Sequence, residues 1–313
     1  MVIILINLTG TNNTPENSTA VAIGLFDGLH HGHRAVIHNA VETAKSNFNL
    51  SPAVFTFETN TVTSKGEGGV DWLLSRELKH ELIAEMGVKY IYSPDFMNFK
   101  NLSADEFVEL VLCGKLFAKY VCCGEDFKFG KGACADINTL DKLCRKKGIK
   151  VISIKDITEN SGQRISSTMI RDLIKTGEMK KANILLGFHF QIKMPVAYGK
   201  QIGRTIDFPT INQYFPKKQV IPKFGVYASL VEYNGIVYKG LTNVGVKPTV
   251  QDSNLPLCET YIIGFNDNIY GETVRLSLVD FIRPERKFNS LQELSIQIKE
   301  DIANVQVLDN YSI

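Results

Sequence analysis

The stretch Gly24-Leu25-Phe26-Asp27-Gly28-Leu29-His30-His31-Gly32-His33 constrains the fold more than any other part of this sequence. Ala20 to Ile23 lead into it as a continuous apolar run, the pattern of a strand buried on both faces. Arg34 to Phe48 lead out of it with apolar residues at Val36, Ile37, Ala40, Val41, Ala44 and Phe48, which is helical spacing. The stretch therefore reads as a glycine-rich strand-to-helix turn. Small residues there let a ligand approach the backbone, and the helix offers unpaired N–H groups and a positive dipole end to an anion. A phosphate is the natural occupant.

His30 and His33 stand three apart, so both imidazoles project from one side of the first helical turn. Two ring donors aimed at one phosphate can stabilise charge that develops in a displacement at phosphorus. A metal site or a polar surface are the other uses of such a histidine cluster. His-x-Gly-His resembles the signature of the nucleotidyltransferase superfamily, whose members move a nucleotidyl group from ATP or CTP to an acceptor and release pyrophosphate.

The 313 residues suffice for two domains, each with its own core. Lys plus Arg number 35 against 33 Asp plus Glu, a balance that calls for neither a nucleic-acid partner nor an anionic membrane. The apolar start, Val2 to Ile6, is too short for a signal core or a membrane span, so a cytoplasmic protein is expected. Cys113, Cys122, Cys123, Cys134, Cys144 and Cys258 include no Cys-x-x-Cys pair, and reduced thiols are the expectation.

Strands at Ala53 to Phe57, Val88 to Tyr92, Tyr120 to Cys123 and Ile149 to Ile154 alternate with helices at Ser75 to Met86, from a capping box at Ser103 to about Phe117, and from Asp136 to Gly148. Thr59 to Gly69 reads as a loop. Alternation of this kind predicts a doubly wound parallel sheet with ligands at the carboxyl ends of its strands. Two further stretches fall at such ends. Gly124-Glu125-Asp126-Phe127-Lys128-Phe129-Gly130 combines aromatic faces able to stack a planar ring with a carboxylate able to accept a hydrogen bond; a turn with buried phenylalanines is the alternative. In Ile165-Ser166-Ser167-Thr168-Met169-Ile170-Arg171 the hydroxyls cap a helix, and Arg171 shares a side with Ser167 and Thr168. That is either a plain N-cap or a second phosphate wall.

These three stretches, in this order, resemble the amino-terminal half of the bacterial bifunctional riboflavin kinase/FMN adenylyltransferase family, whose pattern runs G-x-F-D-G-x-H-x-G-H, G-x-D-F-x-F-G, I-S-S-T-x-I-R. The resemblance implies that Gly24, Phe26, Asp27, Gly28 and Gly32 line ATP, that His30 and His33 contact its phosphates, and that Ser167, Thr168 and Arg171 form the opposite wall. It places Asp126, Phe127 and Asn60 near the FMN ring. The family usually carries Phe-(Glu/Asp)-Pro-His-Pro after the second strand; here the chain reads Phe57-Glu58-Thr59-Asn60-Thr61, and Asn60 can donate a hydrogen bond but carries no charge.

Beyond Leu185-Leu186-Gly187 helical spacing gives way to strands at Val226 to Glu232, Ile236 to Lys239, Tyr261 to Phe265 and Val274 to Val279, with Asn234-Gly235 as a hairpin turn. Ser290 opens a closing helix with Leu291, Leu294, Ile298 and Ile302 on one face. A small antiparallel β-barrel plugged by that helix is expected. Gly199-Lys200-Gln201-Ile202-Gly203-Arg204 reads as a basic, flexible loop able to wrap phosphates. Thr210 and Asn212, two apart, face one side of a strand with oxygen ligands suited to Mg²⁺ or to polyphosphate-bound water; plain turn chemistry is the alternative. The run G-x-x-x-G-R-x-x-x-F-P-T-x-N resembles the riboflavin kinase signature. It implies that Gly199, Lys200, Gly203, Arg204, Thr210 and Asn212 hold Mg-ATP, that Glu259, ahead of a strand, is the base for the ribityl 5′-hydroxyl, and that Arg283 touches the flavin. Asp207 stands where the family has glycine, Ile211 where it has alanine, and Asn268 where it often has aspartate.

The reading is a nucleotidyltransferase-like domain at 1–186 and a riboflavin-kinase-like domain at 187–313. The resemblance implies riboflavin to FMN in the second and FMN to FAD in the first, with ATP as co-substrate and Mg²⁺ as cofactor. Flavins and ATP are the expected partners, without nucleic acid or membrane, for a monomer or weak homo-oligomer. A nucleotidyltransferase for another acceptor, and a flavin-binding protein with one or both activities lost, are the rival readings.

Overall fold

The computed structural model describes residues 4–58, 71–158, 162–199, 203, 207–246 and 255–307. Asn60, Lys200, Arg204 and the 59–69 loop lie outside the described residues. Backbone packing divides the chain into two compact units, Met1–Val70 with Arg76–Ser166, and Asp71–Ser75 with Ser167–Ile313.

In the first unit, strands β1 (Ile6–Asn7), β2 (Ser18–Ile23), β3 (Leu50–Phe55), β4 (Tyr90–Tyr92), β5 (Ala118–Gly124) and β6 (Lys150–Ile154) form a parallel sheet in the order β1-β4-β3-β2-β5-β6. Helices α1 (His31–Ser46), α2 (Arg76–Glu85), α3 (Ala104–Glu106) and α4 (Ile137–Lys146) cross between them. From β2 the chain proceeds through β3 toward one edge and returns at β5 on the other side, so the order reverses between β2 and β5, where α/β sheets open a ligand crevice. Apart from half-buried Ser18, all of β2 is buried, as its unbroken apolar run requires.

Helix α1 starts at His31, three residues before the Arg34 from which its sequence is read, which makes His30 its N-cap. The Ser103 capping box forms as read, the Ser103 hydroxyl accepting from the Glu106 N–H and the Glu106 carboxylate from the Ser103 N–H. That helix then widens into a π-helix, Phe107–Lys115, which turns Phe107, Val108, Val111 and Leu112 into the core.

The second unit opens with α5 (Ser167–Thr176) and α6 (Met179–Leu186), followed by β7 (Phe190–Pro195), β8 (Thr210–Tyr214), β9 (Gly225–Tyr233), β10 (Ile236–Val246), β11 (Pro256–Ile262), β12 (Thr273–Arg283) and α7 (Leu291–Val307). The strands pair antiparallel in the order β7-β12-β9-β10-β11-β8, and the Ala197 N–H, donating to the Asn212 carbonyl at 2.7 Å, joins the two ends of the series. Asn234 and Gly235 turn the β9–β10 hairpin at φ 50° and 77°. Asn183 ties α6 to this sheet: its amide donates to the carbonyls of Leu278 and Val279 and accepts from the Phe190 N–H. The packing boundary thus falls ahead of α5.

Two expectations are corrected. The strand read at Tyr261 to Phe265 runs instead over Pro256–Ile262, because pairing with β10 on one side and β8 on the other buries Leu257 and Cys258. Glu259 therefore lies inside a strand rather than ahead of one. On α7, Leu291 is exposed, and Ile298, Ile302 and Val305 do the packing, against Val226, Ala228, Leu241 and Val279.

A buried ion pair fixes α7. The Arg283 guanidinium grips both carboxylate oxygens of Asp301, which is 1% exposed, at 2.7 to 3.1 Å, and Gln297 donates to the same carboxylate. Removing one member leaves the other desolvated without its partner. Asp301→Ala is expected to cost about 3 kcal/mol in urea unfolding followed by fluorescence of Trp72, the single tryptophan, which belongs to the same unit. A loss below about 1 kcal/mol contradicts this role.

Candidate functional sites

At the carboxyl end of β2 the turn is conformationally strained. Phe26 and Leu29 hold left-handed backbone at φ 48° and 47°, and Gly28 at 86°, while both large side chains are fully buried. A left-handed non-glycine residue costs on the order of 1–2 kcal/mol, so the surroundings must hold it. They do so through Leu25, whose carbonyl accepts from the Thr56 hydroxyl at 2.7 Å, and through the Gly24 N–H, which donates to the Phe55 carbonyl. Beneath this contact lies Lys79, 1% exposed, donating to the Phe57 carbonyl at 2.9 Å, the Thr56 hydroxyl at 3.2 Å and the Leu25 carbonyl at 3.5 Å.

The turn delivers two histidines at the start of α1. The His30 and His33 rings stack with centroids 3.7 Å apart, and Phe26 meets His33 edge-on at 5.5 Å. Both Nδ1 atoms are buried without a hydrogen-bond partner, and His30 makes no side-chain capping bond to its own helix. Burial lowers the His30 pKa to about 4, with help from the Arg164 charge. His33 is held well below its ordinary value by burial first and then by the charges of His30, Lys79 and Arg164. The pair is thus neutral near pH 7 in a cationic setting. Each ring supplies one N–H donor, and an arriving anion favours protonation.

Arg164, from the segment after β6, ion-pairs with Asp126 at 2.5 Å and Asp156 at 3.1 Å. Through it, Asp126 belongs to the same electrostatic cluster as the histidines. Phe127 stacks on Phe129 at 5.7 Å, and Phe129 is buried in the core. Phe57 packs edge-on against Phe96 at 5.2 Å and Phe99 at 5.9 Å beyond the end of β3, adding aromatic surface near these strand ends. Ser167, Thr168 and Arg171 start α5 in the second unit, where the Arg171 Nε donates to the Asp71 carbonyl at 2.7 Å.

In the second unit the register sets Asn212 of β8 directly opposite Glu259 of β11, and Glu259 opposite Asn243 of β10. Thr210, two residues before Asn212, shares its face of the strand. Directly paired side chains lie about 5 Å apart, so the Glu259 carboxylate stands between two amides, with Thr210 as a diagonal neighbour. Thr210 also lines a cleft of about 520 Å³ with Asp207, Ile211, Asn268 and Tyr270. Two glycines permit this packing. A Cβ on Gly199 would collide with the Asn212 amide, and one on Gly203 with the Phe208 carbonyl. Asp207 takes the left-handed backbone, φ 64°, that a glycine would adopt without strain. Arg283 is engaged by Asp301, as described above.

Lys79, Thr56, Arg164 and the Phe57–Phe96–Phe99 cluster were not singled out from the sequence. Lys79 left a signal, since it shares a helical stripe with Leu78, Leu82 and Ile83, all buried. Arg164 left none.

The family profile FAD synthetase matches residues 12–169, and the profile Riboflavin kinase matches residues 186–308. The bifunctional riboflavin kinase/FMN adenylyltransferase of Listeria monocytogenes is 35% identical over 294 residues, covering 93% of this chain and 92% of that protein. Its namesake in Escherichia coli K12 is 34% identical over 296 residues, with 93% and 92% covered. A macrolide-efflux protein from Streptococcus pneumoniae, known as a crystal structure, matches with a TM-score of 0.84 and 29% identity over 97% of this chain and 99% of that one. Among the described residues no helix is long and apolar enough to cross a membrane.

The neutral histidines carry a pH consequence. His30 titrates near 6.5 when unfolded and about 4 when folded, so its neutral burial stabilises fully above pH 6.5 and is lost as pH falls through 4. Between pH 7 and about 5 the urea midpoint of the ligand-free protein is expected to fall more for the wild type than for His30→Gln. Equal declines contradict a neutral, buried His30.

Proposed function

Because this chain belongs to the bifunctional riboflavin kinase/FMN adenylyltransferase family, we propose that it phosphorylates riboflavin to FMN with ATP and then adenylylates FMN with ATP to FAD and pyrophosphate. The observation that carries the adenylyl-transfer half is the stacked pair His30 and His33, with orphaned Nδ1 atoms, at the amino end of α1.

In this half an FMN phosphate oxygen attacks the α-phosphorus of ATP, a P–O bond forms, the bond to the β-phosphate breaks, and pyrophosphate leaves. The nucleophile is already an anion, so no general base is needed. What the site must supply is donors for the oxygens that gain charge. His30 and His33 give ring N–H bonds, α1 gives its dipole, and the turn residues Gly24, Phe26, Asp27, Gly28 and Gly32 shape the cradle. The family resemblance assigns Ser167, Thr168 and Arg171 to the triphosphate and Asp126, Phe127 and Asn60 to the flavin.

In the kinase half Glu259 takes the proton of the ribityl 5′-hydroxyl as that oxygen bonds to the γ-phosphorus and ADP departs. Asn212, opposite Glu259, and Thr210 present neutral oxygens of the kind Mg²⁺ accepts alongside substrate phosphates and its own waters, a binding mode that requires no cluster of carboxylates. When bound, Mg²⁺ neutralises phosphate charge and aligns the transferring group. The family resemblance assigns Gly199, Lys200, Gly203 and Arg204 to the ATP phosphates. Arg283, whose guanidinium is held by Asp301, is the candidate for a contact on the flavin side. The functional division lies at 186/187, and the enzyme works in the cytoplasm as a monomer or weak homo-oligomer.

Two variants separate the halves. His33→Ala is expected to lower FAD formation from supplied FMN about 100-fold while leaving riboflavin phosphorylation intact. Glu259→Gln is expected to lower FMN formation by at least about 100-fold while supplied FMN is still adenylylated. Loss of both activities in either folded variant contradicts two separate sites.

A further inference from the structure

We infer that Lys79 is a positioning residue for adenylyl transfer: from inside the fold its ammonium clamps the strained turn after β2 to the end of β3, and so sets where His30 and His33 present their donors. The inference rests on the functional reading of that half given above. It concerns a residue that touches no substrate and acts only through the turn.

A lysine at 1% exposure is rare, because desolvating an ammonium is costly unless each of its protons finds an acceptor. Three acceptors surround this one. The Phe57 carbonyl and the Thr56 hydroxyl belong to the chain leaving β3; the Leu25 carbonyl belongs to the turn. Thr56 relays between them, since its hydroxyl donates to Leu25 and accepts from Lys79. One charge thereby joins two neighbouring strand ends at the point where the chain must hold Phe26 and Leu29 in left-handed backbone. One turn earlier on α2, Arg76 pairs with Glu58 at 3.2 Å, so the same helix grips the residue after Phe57 as well.

A hydrocarbon side chain would fill the same space but would take the donor from the Phe57 carbonyl and break the tie to Leu25. Asp27 in the turn and Glu58 after β3 bear on its charge, and that charge in turn lowers the pKa of His33 on α1 and of His80 on its own helix, where Arg76 also acts on His80. Asp27 and Glu58 favour the ammonium. Burial outweighs them and brings Lys79 down to about 8, so the clamp is charged at neutral pH and is released as pH rises through that value. His30 and His33 are already neutral over this range and contribute no titration of their own.

The test is FAD formation from FMN and ATP by the full-length protein, with riboflavin phosphorylation by the same molecules as the internal control. Lys79→Met is expected to lower the kcat of adenylyl transfer about 10- to 100-fold with a change of less than about threefold in the KM for ATP. Phosphorylation should stay within about twofold. In the wild type, kcat for FAD formation should decline as pH rises past about 8, and the decline should be absent from Lys79→Met. A purely structural lysine would lower the melting temperature without this kinetic split or altered pH profile. A folded Lys79→Met that adenylylates at the wild-type rate overturns the positioning role alone. Should that variant fail to fold, the wild-type profile decides: a kcat that is flat from pH 7 to about 9.5 overturns it. A wild type that forms no FAD at any pH overturns the functional reading, and this role with it.

Discussion

The first unit depends on holding one turn in a conformation it would not adopt alone. Two buried, left-handed, non-glycine residues follow β2 where the strand order reverses. The Leu25 carbonyl, bonded from Thr56 and from the ammonium of Lys79, is the point at which the rest of the unit acts on that turn. The helix after it can then begin at His31, and the two imidazoles stack at its mouth with unsatisfied ring nitrogens. Local strain and orphaned polar atoms are costs to stability that persist where a ligand makes use of them.

The second unit places its groups by strand register. Asn212, Glu259 and Asn243 form one row across three antiparallel strands, so a one-residue slip of β11 would move the carboxylate to the other face. The row is kept in place by sheet pairing on both sides of β11 and by Gln213, whose amide donates to the carbonyls of Met194 and Val274. Rigid strands suit the base role proposed for Glu259, which needs its carboxylate at hydrogen-bond distance from a hydroxyl.

Much of this was legible in the sequence because strong local signals and tertiary packing agree. The apolar run into Gly24 is β2, the Ser103 box caps its helix, and Asn234-Gly235 turns its hairpin. Most of what was missed lacks a local signature. The register of β11 follows from partners on two other strands, which no window of sequence contains. Leu291 matches the helical stripe yet is exposed, because α7 first packs further along, at Ile298. Arg164 joins the histidine cluster by a long-range approach from the segment after β6. Asp207 occupies a glycine-like conformation that its residue type does not announce. Lys79 was readable only as a misfit in an apolar stripe, and its purpose shows once Phe57, Thr56 and Leu25 are seen around it.

One chain is proposed to carry both steps from riboflavin to FAD, each by direct displacement at phosphorus. The most direct measurement incubates the purified wild-type protein with riboflavin, ATP and Mg²⁺ and separates the flavins by chromatography over time. FMN rising first and FAD following at its expense is the predicted course. FMN accumulating without FAD contradicts the adenylyl-transfer half, and riboflavin bound but never converted contradicts the account as a whole.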